Sequence, residues 1–231
     1  MPDYGRSGQL ESLVNTTADY TELDFARELG VARETVSRLS TYVDLLCKRN
    51  QELNLVAEST LPQVWRRHIL DSAQLIDQIP SDSRTLIDLG SGAGFPGLVL
   101  AIMLQGRADF EVHLVESIQK KCRFLEEVAV ATGAAVRIHW ARAETLPRFK
   151  ADVITARAVA PLDRLLALVH PFFKSGTVGL FLKGKSVADE LTLATKSWTL
   201  DSTHIPSRSD PSGTVLRVTG LSPWRKPKKP S

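Results

Sequence analysis

Cysteine is nearly missing from this chain. Only Cys47 and Cys122 are present, 75 positions apart and in no C-x-x-C pair, which argues against a disulfide framework or a zinc knuckle. Long apolar runs are missing too, and none approaches the roughly 20 residues that span a bilayer, so no membrane partner is expected. The first fifteen residues lack a basic start followed by an apolar run, so no secretory leader is expected and the cytoplasm is the expected location. His113, His139, His170 and His204 are scattered without ligand spacing, and no metal is expected. Excess charge is also scarce. The net value is +3, and Arg225, Lys226, Lys228 and Lys229 leave 25 basic against 26 acidic residues elsewhere. The body is therefore close to neutral, so a nucleic-acid partner has to be held by local patches and this tail.

With 231 residues, 43% of them hydrophobic, the chain can bury one large α/β core, with or without an appendage. Val36, Leu39, Val43 and Leu46 recur at helical spacing. A second helix is expected after Ser59 and Thr60 as caps, with Pro62 in its first turn and Trp65, Ile69, Ala73 and Ile76 on one face. Residues 1–80 thus read as a flexible segment followed by a helical extension. From Arg84 the rhythm becomes short β-rich runs, at 85–89, 111–116, 136–140, 152–156 and 177–183, alternating with helix-length segments. That alternation predicts βαβ units and a parallel sheet. Ser117 is the expected N-cap and Gly133 the expected stop of the helix between the second and third strands. Runs at 198–204 and 214–219, joined by a turn-forming 209–213, predict a closing antiparallel hairpin. The body of the fold is expected over 81–222, with a basic tail at 223–231.

The central signal is Asp88-Leu89-Gly90-Ser91-Gly92-Ala93-Gly94-Phe95-Pro96-Gly97, between an apolar strand and an apolar helix. Gly90, Gly92 and Gly94 allow a tight turn and let a ligand lie on bare backbone, at the place where doubly wound sheets bind nucleotides. Gly92-x-Gly94-x-x-Gly97 also satisfies the dinucleotide fingerprint, so an NAD-dependent oxidoreductase is the rival enzyme. Glu116, closing the second strand, suits ribose hydroxyls in either case. Asp88 beside the first glycine, the extra Gly90, and Glu144 after the third strand favour an adenosyl pocket.

These residues carry a family resemblance. Asn54-Leu55-Val56, Arg67-His68-Ile69-Leu70-Asp71-Ser72, the 88–97 loop, the 116–124 stretch, Ala156-Arg157-Ala158 and Leu182-Lys183-Gly184 resemble the ribosomal RNA small subunit methyltransferase G family, also called glucose-inhibited division protein B. The resemblance implies a Rossmann-like class I methyltransferase fold: a mostly parallel, doubly wound sheet with a C-terminal antiparallel hairpin and an N-terminal helical extension. It implies S-adenosyl-L-methionine as cofactor, held by Gly90 and Phe95, Glu116, Ala143 and Glu144, and Arg157. Phe95 departs from the leucine common at its position. Asp88, Gly92 and Gly94 complete the expected cofactor set. The implied reaction is methyl transfer to N7 of guanosine 527, in the 530 loop of 16S ribosomal RNA. The expected partner is that RNA or the small subunit, and the chain is expected to act as a monomer.

Guanine N7 carries a lone pair and no proton, so no acid–base dyad is expected. Positioning is the catalytic task, and aligned reactants can gain about 7–11 kcal/mol. Arg157 and Lys183, at strand ends, are the candidates for it. Lys120, Lys121 and Arg123 read first as a solvated helix face, and His68 as a packed histidine. A non-catalytic RNA-binding module is the rival outside enzymes; it predicts RNA binding without methyl incorporation. The tail gives a direct test. Deleting residues 225–231 is expected to weaken RNA binding and lower its salt slope while sparing cofactor affinity; equal slopes for both forms would show the tail idle.

Overall fold

The structure, a computed structural model, describes residues 20–224; the N-terminal segment and the basic tail at 225–231 lie outside the described residues. Seven strands form one sheet in the order β3-β2-β1-β4-β5-β7-β6. They are β1 (Thr85–Leu89), β2 (Glu111–Glu116), β3 (Val136–Trp140), β4 (Val153–Arg157), β5 (Val178–Lys183), β6 (Trp198–Pro206) and β7 (Thr214–Pro223). The first five pair in parallel, and β7 runs antiparallel to both β5 and β6. The expected closing hairpin is present, inserted so that β7 lies inside β6. An all-parallel dinucleotide fold in the order 3-2-1-4-5-6 has no such strand.

Alternation along the strands divides the core into two layers. Leu86, Val112, Leu114, Val153, Leu180 and Leu182 face one side, and they meet α4 (Gly97–Met103), α5 (Gln119–Thr132) and the N-terminal helices α1 (Glu22–Leu29) and α2 (Arg33–Leu53). Ile87, Leu89, Val115, Ile154, Ala156 and Phe181 face the other, against α6 (Leu162–Val169) and α7 (Val187–Ala194). Phe25, Leu39, Tyr42 and Leu46 are fully buried in the first layer, so the helical extension shares the core of the sheet. Arg49 of α2 also clamps Glu127 of α5 with two charge-assisted hydrogen bonds, at 2.9 and 2.8 Å.

Several local expectations are corrected. The regular helix expected after Ser59 is instead a 3-10 segment, Glu58–Gln63, a π-helical segment, Trp65–Leu70, the short helix α3 (Asp71–Ala73), and a 3-10 turn, Ile76–Gln78. Neither Ser59 nor Thr60 caps it; Ala57 precedes it without a side-chain cap. The wider π pitch buries His68, Ile69 and Leu70 consecutively, which a 3.6-residue period with one apolar stripe does not do. Ser117 is not the cap of α5: Ile118 takes that place and donates its N–H to Glu116 Oε1 at 2.7 Å. Helix α1 has no counterpart of its own in the expected pattern, while α6 falls in the helix-length segment expected between the fourth and fifth strands. Gly133 does end α5 in the left-handed conformation. No helix among the described residues is long and apolar enough to cross a membrane.

Gly97 shows how tightly α4 sits on the sheet. A Cβ there would lie 2.5 Å from Leu114 Cδ2 and 2.6 Å from Asp88 Cβ. Gly97→Ala is therefore expected to destabilise the protein by about 1–3 kcal/mol through overpacking. Gly184→Ala, with nothing within 4 Å, is expected to leave stability unchanged. Urea midpoints of the two variants check this, and equal midpoints would refute the packing argument.

Candidate active site

The loop after β1 is pinned by main-chain bonds. Gly90 and Ser91 both donate to the Val115 carbonyl, at 2.9 and 3.0 Å, and Gly90 takes φ +70°, a conformation that favours glycine. The buried carboxylate of Glu116 receives Gly92 N–H at 2.9 Å on one oxygen and Ile118 N–H at 2.7 Å on the other. One side chain thus holds the glycine loop and the start of α5 together. Beside it opens a cleft of about 500 Å³ whose lining includes Gly90, Glu116, Ala143, Glu144, Val159 and Leu168. The volume suits a nucleoside-sized ligand. Apolar walls for a base, carboxylates for ribose hydroxyls and bare backbone at Gly90 are the features an adenosyl group needs.

A second cleft, about 740 Å³, adjoins the first, and both are lined by Ala160 and Pro161. Arg157, His68, Asp71, Lys183 and Glu190 lie on its wall. Arg157 is fixed from all sides: Nη1 donates to His68 Nδ1 at 3.0 Å, Asp71 Oδ2 lies at 3.4 Å, and the guanidinium stands 4.8 Å over the Phe95 ring. His68 stacks on the same ring at 5.0 Å and lies 2.8 Å from Thr60 Oγ1 through Nε2. With Nδ1 accepting from Arg157, the proton belongs on Nε2. Lys183 Nζ meets Glu190 Oε2 at 2.5 Å and also donates to the Ala160 carbonyl. Glu190 in turn accepts from Leu162 N–H, so this pair fixes the partition between the clefts. That partition begins at Ala158, a non-glycine residue at φ +52°; such a conformation costs about 1–3 kcal/mol and persists where the surroundings enforce it.

Of the expected cofactor residues, Gly90, Glu116, Ala143 and Glu144 share the first cleft. Arg157 lines the second, with Lys183. Asp88 is fully buried, accepts from Thr155 Oγ1 at 2.7 Å, and leaves Oδ2 without a hydrogen-bond partner; burial raises its pKa to about 6. Gly92 meets the site through its amide alone, and Gly94 lies against Tyr42 and Leu98. The Phe95 ring is buried between Tyr42, His68 and Arg157. Asp71, Glu190 and Ser209 were not singled out from sequence, yet they hold the basic residues in place: Ser209 Oγ donates to Asp71 Oδ1 at 2.6 Å. The only available signal was Asp71 inside the Arg67–Ser72 segment. Among the described residues no cluster of His, Cys, Asp or Glu is arranged to hold a metal ion.

The position of His68 gives a pH prediction. Burial, with Arg157 and Arg67 nearby, lowers its pKa to about 3. The folded state therefore favours neutral histidine, and the stability this contributes is present above the unfolded pKa and lost as pH falls from about 6.5 towards 3. Relative to His68→Phe, which keeps a ring on Phe95 but cannot titrate, the native protein is expected to lose roughly 1.4 kcal/mol per pH unit below 6.5. Urea unfolding of both proteins over that range checks it; parallel stability curves would sink the idea.

Comparison with known proteins places the chain by sequence and by fold. The family model for rRNA small subunit methyltransferase G (GidB) matches residues 35–212. A ribosomal RNA small subunit methyltransferase G from Parvibaculum lavamentivorans is 52% identical over 199 residues, covering 85% of this chain and 88% of the relative. The protein of the same name from Rhodospirillum centenum is 51% identical over 200 residues, covering 87% and 91%. In fold, the chain is similar to a candidate O-methyltransferase from Klebsiella pneumoniae, with TM-score 0.57 and 13% identity over 87% of this chain and 96% of that one. It is also similar to a ribosomal protein L11 methylase from Lactobacillus delbrueckii subsp. bulgaricus, with TM-score 0.52 and 18% identity over 64% and 75%. With the family model matching residues 35–212 and about half of the aligned residues identical to those of these relatives, the chain belongs to the rRNA small subunit methyltransferase G family.

Proposed function

We propose that this protein transfers a methyl group from S-adenosyl-L-methionine to N7 of guanosine 527 in the 530 loop of 16S ribosomal RNA, in the cytoplasm and as a monomer. In this reading residues 81–222 form the methyltransferase unit, 1–80 its helical extension and 223–231 a basic tail. The donor supplies an electrophilic methyl on a positively charged sulfur. Gly90 offers bare backbone for it, Glu116 and Glu144 offer carboxylates to hydroxyls, and Ala143, Val159 and Leu168 offer an apolar wall.

The observation that carries the reading is that the basic and acidic groups deepest in the second cleft are held by partners. Arg157 is paired with Asp71 and Lys183 with Glu190, His68 has both ring nitrogens occupied, and Asp210, which lines the cleft with Arg67 outside these ion pairs, accepts from the N–H and Oγ–H of Ser212, bonds that lower its pKa. Such a wall cannot readily take a proton from an acceptor, so it suits an atom that attacks without losing one. Guanine N7 is such an atom; the exocyclic amine is not. What the wall can do is orient. Arg157 retains guanidinium donors beyond those bound to His68 and Asp71, and basic side chains pair naturally with O6 beside N7. Holding the ring in line with the methyl is then the main contribution to rate. Family membership favours methyl transfer over the hydride-transfer reading of the glycine loop.

Mapping N7-methylguanosine by chemical cleavage in 16S ribosomal RNA, from cells with and without the gene, tests the target. Cleavage at guanosine 527 is expected only where the gene is present, and an identical 530 loop in both strains would defeat the assignment. Calorimetry against S-adenosylhomocysteine and NADH tests the donor: binding of the first alone is expected, and binding of NADH alone would reverse the conclusion.

A further inference from the structure

The two clefts account for the sheet's C-terminal edge from β2 to β5 and leave its outer corner unexplained. There Trp140, the last residue of β3, is 62% exposed, beside Ile118 at 48%. A large aromatic that exposed calls for a reason. It is also anchored: Nε1 donates to the Ser117 carbonyl at 3.1 Å. The ring is thus held on the surface with its polar atom satisfied, and binding against it would cost little further ordering. Around it the chain is open and basic. Residues 117–120 are exposed, and among the described residues no acidic side chain pairs with Lys120, Lys121, Arg123 or Arg142. The arginines at 49, 137, 157 and 208 all have such partners. Ser117 and Arg142 also line the first cleft, so this corner continues the active site.

We propose that this corner is a second docking point for the RNA substrate, where an unpaired base stacks on Trp140 and Lys120, Lys121 and Arg142 take the phosphates beside it. The proposal rests on the reading of the chain as an RNA methyltransferase. Positive charge and an aromatic face together fit single-stranded RNA, whose bases stack without sequence preference while its backbone is tracked by basic groups. The distance fits as well. Strands β2 and β1 separate β3 from β4, so Trp140 and Arg157 stand about 14 Å apart across the sheet, three strand spacings, a span of a few nucleotides. A base flipped into the second cleft and a neighbour on Trp140 can therefore belong to one strand that crosses the cofactor cleft. A second copy of the chain is the other occupant an edge strand invites, but Arg137 and Glu111 form an ion pair at this edge, the kind of charge that discourages strand addition.

The test uses the full chain, S-adenosylhomocysteine and small subunits carrying an unmethylated 530 loop. Trp140→Ala is expected to weaken RNA binding and raise KM by about 5- to 100-fold, the loss of one stacked base. Its kcat and its affinity for S-adenosylhomocysteine are expected to be unchanged. Trp140→Tyr should recover most of the loss, and the double change Lys120→Ala with Lys121→Ala should lower the RNA salt slope by about 1–2. Unchanged RNA affinity in Trp140→Ala would overturn the proposal, as would an equal loss of S-adenosylhomocysteine binding or a native dimer that the substitution dissolves. Failure of the parent reading looks different: methyl incorporation at another nucleotide, with Trp140→Ala still impaired, removes the 530 loop as target and leaves this surface standing.

Discussion

The buried carboxylate of Glu116 is the constraint on which the site depends. A glycine loop is a poor scaffold by itself, because residues without side chains lose the most freedom on folding. Here the loop is not left to itself: Glu116 accepts Gly92 N–H and Ile118 N–H, and the neighbouring Val115 carbonyl accepts Gly90 and Ser91. The end of β2 therefore serves as the mould for the end of β1 and for the first turn of α5. Oε1 also accepts from Ser117 Oγ at 3.4 Å, while Oε2 takes Gly92 N–H alone and retains a lone pair, so the group that shapes the loop also lines the cleft it makes. Charge-assisted bonds of this kind are short and about twice as strong as neutral ones.

A second principle governs the other cleft, where charge is abundant and four of the charged side chains are matched in two ion pairs, with Arg67 and Asp210 outside them. Arg157 with Asp71 joins elements far apart in sequence, and Lys183 with Glu190 joins β5 to the helix that follows it. Breaking one partner of a largely buried pair is costly because it strands the other. The consequence is a wall with fixed geometry and little capacity to exchange protons, which suits alignment of a reactant better than acid–base work. Phe95 connects this wall to the glycine loop: its ring touches Tyr42, His68 and Arg157. The loop and the arginine are thereby joined through packed rings.

Much of this was legible in the sequence wherever periodicity is simple. The strands at 85–89 and 111–116 fall where β-rich runs placed them, because a strand buried on both faces reads as a largely apolar block, and the one at 136–140 does so too although it is only partly buried and carries Arg137 and His139. Gly90, Glu116, Ala143 and Glu144 came together because strand ends in this topology converge on one crevice. Two kinds of feature escaped. The 58–78 segment changes pitch several times, and a fixed 3.6-residue template cannot register a π-helical turn that buries three consecutive residues. Asp71 and Ser209 escaped because their roles come from partners distant in the chain, and Glu190, only seven residues from Lys183, escaped because on sequence it reads as one more polar position of a helix. Ser209 lies 138 positions from Asp71, and no local pattern encodes such a pair.

The N-terminal extension follows from these same constraints. Its boundary at residue 80 marks a change of sequence rhythm, yet the core runs through it: Phe25, Leu39, Tyr42 and Leu46 are buried in one layer with Leu98, Leu114 and Phe124. The extension also supplies His68 and Asp71, which hold Arg157, and the Tyr42 hydroxyl, which donates to the Ala93 carbonyl within the glycine loop. A sheet of this topology can present a cofactor at its edge with its own residues. Arg157, at the end of β4, is instead held from outside the sheet, and the irregular 58–78 segment supplies the groups that hold it. Its π-helical turn places His68 inward directly before Asp71, so that both reach the guanidinium. The departure from regular helix is therefore part of how the second cleft is built.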